Sequence, residues 1–527
     1  MGKNQDWIKG TVWIAVAAFI GKVLGLIYRI PLQNIAGDEG LYIYQQIYPI
    51  LSLALLLSIY SLPSATAQLL GSQTKDPQVR RAYVSVVFYL YISLGVLAWV
   101  LLFFAAPLLS TWMGDEALTL PIRMSSFMFL LIPITATLRG YFQSEQRTDL
   151  IAISQVVEQL IRVLIIIATT VAVASFGMSL YMIGVYASMA TVCGSVVASV
   201  LLFVWFKGMK QEAGSVAVKA DYRKMFPVLF KAAIVFSFIH ILHLLLQAVD
   251  VFTMIHMLQS WGASLEEARF LKGVYDRGNP LIQLGLVFGT AIAFALVPSL
   301  NETVEKEGIK EEERNFAVKL TAFISLQATV GLVAIMPYLN PLFYKSDDAT
   351  LVLQVMVTTI LPLSLVITIS VILQQQGKKL VQLWWLLIWI SLKVLLNLLL
   401  LPIYGIMGAS IASITASIAL LGIYFWVWST ISPSKVAWSY IFKLVTSSIV
   451  MLSLVLLAGE SIVWVIGEAN RLQLSIIITI QVLIGIAVVL LCMFYWKIWS
   501  KEELDRLWSM VPNKVKKRLS RANGKGL

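Results

Sequence analysis

Charge is scarce in this chain. Lys, Arg, Asp and Glu together make up 13% of its 527 residues, against roughly 25% in soluble domains, and that excludes an ordinary water-soluble globule. Cysteine is nearly missing. Cys193 and Cys492 both sit in apolar segments, so neither a disulfide framework nor a cysteine metal site is expected. The three histidines, His240, His243 and His256, fall in one segment. His240 and His243 have no evident third ligand, so no metal is expected. No nucleophile–base constellation is present, nor a G-x-x-x-x-G-K-[ST] loop; neither an enzyme nor a cofactor is implied. A cleavable signal is also lacking. Gly10 to Tyr28 is apolar but interrupted by Lys22 and has no small-residue cleavage pattern, so it reads as a first membrane span.

What is abundant is hydrocarbon, at 59% of residues. Apolar stretches such as Leu180 to Trp205 and Ile476 to Trp496 have the length of about 20 residues that crosses a bilayer core. The sequence predicts an all-α polytopic membrane protein with about fourteen spans. Punctuation between them includes Gly37-Asp38-Glu39-Gly40, Lys75-Asp76-Pro77, Gly114-Asp115, Asp347-Asp348 and Ser432-Pro433. The net charge of +12 lies in loops and tail, which suits membrane orientation and anionic lipid, not nucleic acid. With both termini in the cytoplasm, only Arg123, Arg269, Lys272, Lys345 and Arg471 fall outside, while Arg139, Arg147 and the remaining loop cations fall inside. The positive-inside rule therefore orients the chain in the cytoplasmic membrane. Trp499, Leu504, Leu507 and Trp508 alternate with Lys and Arg. This tail reads either as a helix on the cytoplasmic leaflet or as a solvated basic segment.

An internal repeat is also expected. Tyr44-x4-Pro49 corresponds to Tyr275-x4-Pro280, Phe142-Gln143-Ser144 to Leu373-Gln374-Gln375, and Arg162 to Lys393, each 231 positions on; Leu62-Pro63 and Val297-Pro298 fall four residues out of register. The shared offset suggests two parallel six-helix halves, residues 1–210 and 211–432, with a pseudo-axis along the membrane normal. Residues 433–497 form an appended helix pair and 498–527 the basic tail.

Six cations fall inside spans: Lys22, Arg29, Arg162, Arg277, Lys393 and Lys443. A charge at mid-bilayer costs at least about 2.5–3.5 kcal/mol, so each needs a cavity, a partner or a span end. Lys443 snorkels. Lys22 and Arg29 share a face of span one and line a cavity or pair with an acid on another helix. Gly21 and Gly25 nearby form a small-xxx-small step suited to close packing. His240, His243, Gln247 and Asp250 make one polar stripe on span seven, expected to face the cavity. Asp250 is expected to pair with Arg29 or Arg277, or to respond to a coupling cation. Asp276-Arg277-Gly278-Asn279-Pro280 loosens the start of span eight and places Arg277 at a cavity. Glu158 and Arg162, at i and i+4, are expected to neutralise one another. Several cations around one cavity suit an anionic ligand such as pyrophosphate.

Gly21-Lys22-Val23-Leu24-Gly25-Leu26-Ile27-Tyr28-Arg29, then Gly37-Asp38-Glu39-Gly40-Leu41-Tyr42 running into Tyr48-Pro49, resemble the first two helices of the stage V sporulation protein B/MurJ-type flippases. Val274-Tyr275-Asp276-Arg277-Gly278-Asn279-Pro280-Leu281 resembles that family's eighth-helix motif. These flippases belong to the multidrug/oligosaccharidyl-lipid/polysaccharide exporter superfamily. The resemblance implies translocation of an undecaprenyl-pyrophosphate-linked cell-wall precursor, lipid II or a related glycan, in peptidoglycan, cell-shape or sporulation processes, with cell-wall synthesis enzymes as possible partners. The family's cavity arginines map onto Lys22 and Arg277, and Arg29 lies one position from another. The arginine some members carry after the span-two proline is absent here, where Ile50-Leu51-Ser52-Leu53 follows Pro49. The last helix pair is implied to hold the polyprenyl tail. A cation-coupled small-molecule antiporter and a non-transporting assembly factor are the alternatives.

Overall fold

The computed structural model describes residues 2–73, 77–209, 222–296, 307–376, 381–431, 438–467 and 469–510. Ser432-Pro433, Lys75-Asp76, Val297-Pro298, the tail beyond 510 and the side chains of Lys22, His240, Leu507 and Trp508 lie outside the described residues. The described segments are helical throughout. In chain order they are α1 (Gly2–Leu56), α2 (Leu62–Gln73), α3 (Pro77–Trp112), α4 (Thr119–Ser126), α5 (Ile132–Ser144), α6 (Thr148–Ser175), α7 (Tyr181–Gly208), α8 (Tyr222–Trp261), α9 (Leu265–Asp276) and α10 (Asn279–Leu296). They continue as α11 (Glu307–Tyr344), α12 (Thr350–Val357), α13 (Ile360–Gln375), α14 (Val381–Tyr404), α15 (Ile406–Ile431), α16 (Trp438–Ile466), α17 (Arg471–Tyr495) and α18 (Lys501–Met510).

Three breaks turn these helices into spans. Gly37 has φ 72° and ψ −176°, a backbone state that suits glycine. The rings of Tyr28 and Tyr44 lie 5.6 Å apart, whereas 16 residues of straight helix would separate them by about 24 Å. The chain therefore folds back at Gly37, and α1 makes two spans. The second bends again at a π-turn, Leu57–Ser61, just ahead of Pro63, whose ring cannot accept a regular preceding turn. The third break is Arg277-Gly278, between α9 and α10. A Cβ on Gly278 would sit 2.5 Å from the Met356 sulfur, so the break also allows close approach to α12. Among the described residues twelve helical stretches are long and apolar enough to cross a membrane. The fold-back at Gly37 and the broken α9–α10 segment bring the plan to the expected fourteen.

Packing is inverted relative to a soluble protein. Phe104, Trp384, Trp426 and Phe442 are exposed on the outer surface, while Arg29, Arg139, Arg277, Lys272 and Lys393 are fully buried. This is the arrangement that lipid as solvent requires. Small residues bring helices together: a Cβ at Gly140 of α5 would lie 2.4 Å from Thr66 of α2, and one at Gly194 of α7 would lie 2.6 Å from the Glu158 carbonyl of α6. Interior hydroxyls such as Thr170, Thr191 and Ser199 donate to carbonyls one turn back, which satisfies them without water.

The tail begins as a docked helix. Ser500 and Glu503 cap α18 reciprocally. Lys319 pairs with Glu503 at 2.9 Å and Arg506 with Glu312 at 2.6 Å. Trp499 is buried against Phe316, Phe323 and Tyr440. Lys443 is half-buried and donates to the Lys497 carbonyl at 3.4 Å.

Candidate functional site

A cavity of about 170 Å³ lies where α1, α6, α8, α10 and α13 converge. Its polar lining is Tyr28, Tyr48, Tyr60, Ser52, Gln155, Gln159, Arg162, His243, Gln247, Gln283 and Thr290, with no Asp or Glu among the described residues. Gly21 and Gly25 also line it, and Gly25 has nothing within 4 Å of a Cβ position. The small-xxx-small step thus opens space for the cavity instead of sealing a helix contact.

Arg162 is the guanidinium that faces this space. The expected Glu158–Arg162 pair is not formed. Arg139 of α5 takes Glu158 instead, at 2.6 Å with both side chains buried, and also donates to Ser58 and Ser154. Arg139, which counts by sequence as a cytoplasmic loop cation, is an interior residue because α5 continues through it. Arg162 is left with Gln159 as its side-chain partner, and its Nε–H has no protein acceptor. Arg29 stands behind the cavity wall. Its guanidinium lies 4.3 Å from the Tyr48 ring centre and 5.8 Å from those of Tyr28 and Tyr44, and it donates to Gln283 at 3.2 Å. No acid pairs with Arg29 among the described residues, so its charge is balanced by ring faces and an amide.

The other candidates go elsewhere. Arg277 does not line the cavity. It forms a two-pronged pair with Asp38, Nε to Oδ1 at 2.8 Å and Nη2 to Oδ2 at 2.6 Å. Asn340 and the Tyr344 ring complete its surroundings. Asp38, read from sequence as a loop residue, is the acid that was missing. Asp250 pairs with neither Arg29 nor Arg277 but with Lys393, at 2.9 Å. Lys393 is therefore also away from the cavity. Asp276 is held by Lys272 at 2.6 Å and by Asn279; Lys272, expected in an outside loop, is buried in α9. Of the span-seven stripe, His243 and Gln247 line the cavity, whereas Asp250 does not.

Further polar contacts gather near the Gly37 fold-back. Asp38–Arg277 is joined there by Arg269, which grips Asp115 with two bonds of 3.0 Å. Tyr42 and Tyr181 donate to the same carboxylate. Gln45 donates to the Asp276 carbonyl at 3.3 Å. Sequence reasoning missed Asp38 and Asp115 because they belong to the Gly37–Gly40 and Gly114-Asp115 punctuation that reads as loop, and Arg269 because it counts there only as an outside loop cation.

The family model for polysaccharide biosynthesis proteins matches residues 7–304. The chain belongs to the polysaccharide biosynthesis protein family. It is 32% identical over 516 residues to the uncharacterized membrane protein YabM of Bacillus subtilis (strain 168), covering 96% of each chain. It is 25% identical over 525 residues to the lipid II flippase MurJ of the same organism, covering 93% of this chain and 95% of that one. Among solved structures it resembles the lipid II flippase MurJ in an inward closed conformation, with a TM-score of 0.70 and 15% identity, covering 92% of this chain and 99% of that one. That likeness confirms a polytopic all-α membrane fold. The relative of named activity is described as a flippase, not as an enzyme.

Proposed function

We propose that this family member is a flippase that carries an anionic lipid-linked glycan precursor across the cytoplasmic membrane by alternating access. The observation that carries this reading is the cavity: one guanidinium without an acid partner, four carboxamides and three tyrosines, with no acid among the described residues. Such a lining offers charge-assisted donors to a pyrophosphate and hydrogen bonds to sugar hydroxyls and amides. A multidrug antiporter taking cations would be disfavoured there. Similarity to a lipid II flippase along the whole chain supports undecaprenyl-pyrophosphate-linked cargo, lipid II or a relative.

Arg162 is assigned the phosphate contact, with Arg29 as the charge behind it and Lys22 as a further cation carried by the same helix as Arg29. Arg277 is assigned to the gate. With the termini cytoplasmic, the Asp38–Arg277 and Asp115–Arg269 pairs seal the outer face, and the cavity near Gly21 belongs to the inward side. Two parallel repeats, 1–210 and 211–432, would rock about an axis near Gln45 and Asp276. Those residues are 231 apart and touch, as related positions can only do close to the axis. The outward apolar faces of α16 and α17 would hold the polyprenyl tail, and the basic tail would lie near anionic lipid.

The test is translocation of fluorescent lipid II in vesicles containing purified protein. Removing Arg162 deletes a charge-assisted contact of about 1.5–3 kcal/mol, so Arg162→Ala should raise the half-saturating lipid concentration roughly 10- to 100-fold with little change in thermal stability. Transport by Arg162→Ala at the wild-type rate and concentration would overturn the assignment.

A further inference from the structure

Lys393 is buried at the junction of α8, α14 and α15, and what surrounds it is unusual for a lysine. Four oxygens lie within hydrogen-bond reach of its Nζ: Asp250 Oδ1 at 2.9 Å, Asn397 Oδ1 at 2.8 Å, Ser413 Oγ at 2.8 Å and the Ala409 carbonyl at 3.1 Å. An ammonium has three protons, so the shell holds one oxygen more than the lysine can bond directionally. The set contains a carboxylate, a carboxamide, a hydroxyl and a backbone carbonyl. Those are the hard oxygen ligands that suit a non-directional cation.

Each ligand is fixed by a second contact. Asp250 Oδ2 accepts from the Tyr275 hydroxyl at 3.0 Å. Asn397 Nδ2 donates to Asp250 Oδ1 and to Thr253 Oγ1, both at 2.8 Å, which turns its oxygen toward Nζ. Ser413 donates its proton to the Ala409 carbonyl at 2.9 Å, leaving its lone pairs for Nζ. Asp250, Lys393, Asn397 and Ser413 are all buried. The neighbouring charges, Lys272 and Asp276, neutralise one another. The cage therefore has one negative charge and requires one positive charge; without it, a bare carboxylate would be left in a dry interior.

We propose that Lys393 is a built-in monovalent cation: its ammonium fills an oxygen cage that, emptied of the side chain, takes up a free monovalent cation. Holding its own cation on α14, the C-terminal half keeps α8, α14 and α15 together without drawing an ion from solution. The consequence is a protein whose stability is indifferent to the identity of the surrounding alkali cation. The proposal does not depend on the cargo.

The experiment is thermal unfolding of the purified full chain in chloride salts of choline, sodium, potassium and methylammonium at equal ionic strength. Wild type should unfold at one temperature in all four. Lys393→Ala should unfold several degrees lower in choline and recover most of that loss, saturably, in at least one of the small cations. Asp250→Asn/Lys393→Ala should show no such selective recovery. Saturable stabilisation of wild type by one particular cation would overturn the proposal, and so would a Lys393→Ala protein equally stable in all four salts. Asp250→Asn/Lys393→Met removes both charges and fills the space; it should fold in every salt. If it does, while Lys393→Ala folds in none, the cage accepts no free ion and the proposal is wrong.

Discussion

Replacing Asp38 with Asn tests the outer gate, because it changes one atom type and leaves the shape nearly intact. Arg277 would remain fully buried with its two charge-assisted bonds to Asp38 weakened. Breaking a buried pair by removing one partner costs about 3–5 kcal/mol. Arg277 keeps Asn340 at 3.3 Å and the Tyr344 ring at 5.4 Å, so the lower end, about 3 kcal/mol, is the better figure. The penalty belongs to the closed state alone, since Asp38 and Arg277 come from opposite proposed halves and part on opening. At about 1.4 kcal/mol per decade, the closed-to-open ratio should fall roughly 100-fold. Gln46, buried about 12 Å further along the helix from Asp38, reports the change. In a background with Cys193 and Cys492 replaced by Ser, Gln46→Cys should react slowly with a membrane-impermeant maleimide applied from outside, and much faster once Asp38→Asn is added. The exchanged pair Asp38→Arg/Arg277→Asp should slow labelling again. Equal labelling with and without Asp38→Asn would refute the gate, as would an exchanged pair no tighter than either single change.

Three further outcomes follow from contacts elsewhere. Arg139→Ala strands the Glu158 carboxylate beside Ser58 and Ser154 and should destabilise the fold by about 3–5 kcal/mol; thermal unfolding should show the loss, with partial recovery when Glu158→Ala is added. Gly140→Val brings a side chain into the Pro63 carbonyl, 2.9 Å from the Cβ position, and should cost about 1–3 kcal/mol, read as a lowered unfolding temperature. The α18 latch should be pH-dependent: burial opposes the Glu503 charge, but the Ser500 backbone N–H and then Lys319 outweigh it and hold the carboxyl below its ordinary value. A depressed carboxyl stabilises docking above its ordinary range and loses that contribution as pH falls through the lowered value. The protection of amides across 501–506, taken relative to the intrinsic exchange rate at each pH, should therefore fall in acid, and Glu503→Gln should remove that dependence.

The spans were legible because lipid imposes a requirement that composition cannot hide: about 20 apolar residues for each crossing. The breaks were legible for a related reason. Gly37 and Gly278-x-Pro280 carry residue types whose backbone preferences act locally, and the chain folds back or breaks at both. The lengths were not. Lys272 counts as a loop cation only if α9 ends early, and Arg139 only if span four ends there; each instead lies inside a helix. Arg139 is held inside by Glu158 on another helix, whereas Lys272 is answered within its own helix by Asp276, four residues on.

The candidate site shows the same division more sharply. Sequence identifies that a cation in hydrocarbon must be answered, because the cost is a property of the residue. It does not identify the answering group, because that is a property of two helices. The i, i+4 rule offered Glu158 to Arg162, worth a few tenths of a kcal/mol on an isolated helix. The fold gave it to Arg139 through a 2.6 Å contact in a dry interior, where a short ion pair is felt far more strongly than at a helix surface. That exchange leaves Arg162 facing the cavity. Likewise Asp38 claims Arg277 and Asp250 claims Lys393. The cations most conspicuous in the sequence are thus spent on holding the protein together, and the one that seemed neutralised locally is left facing the cavity.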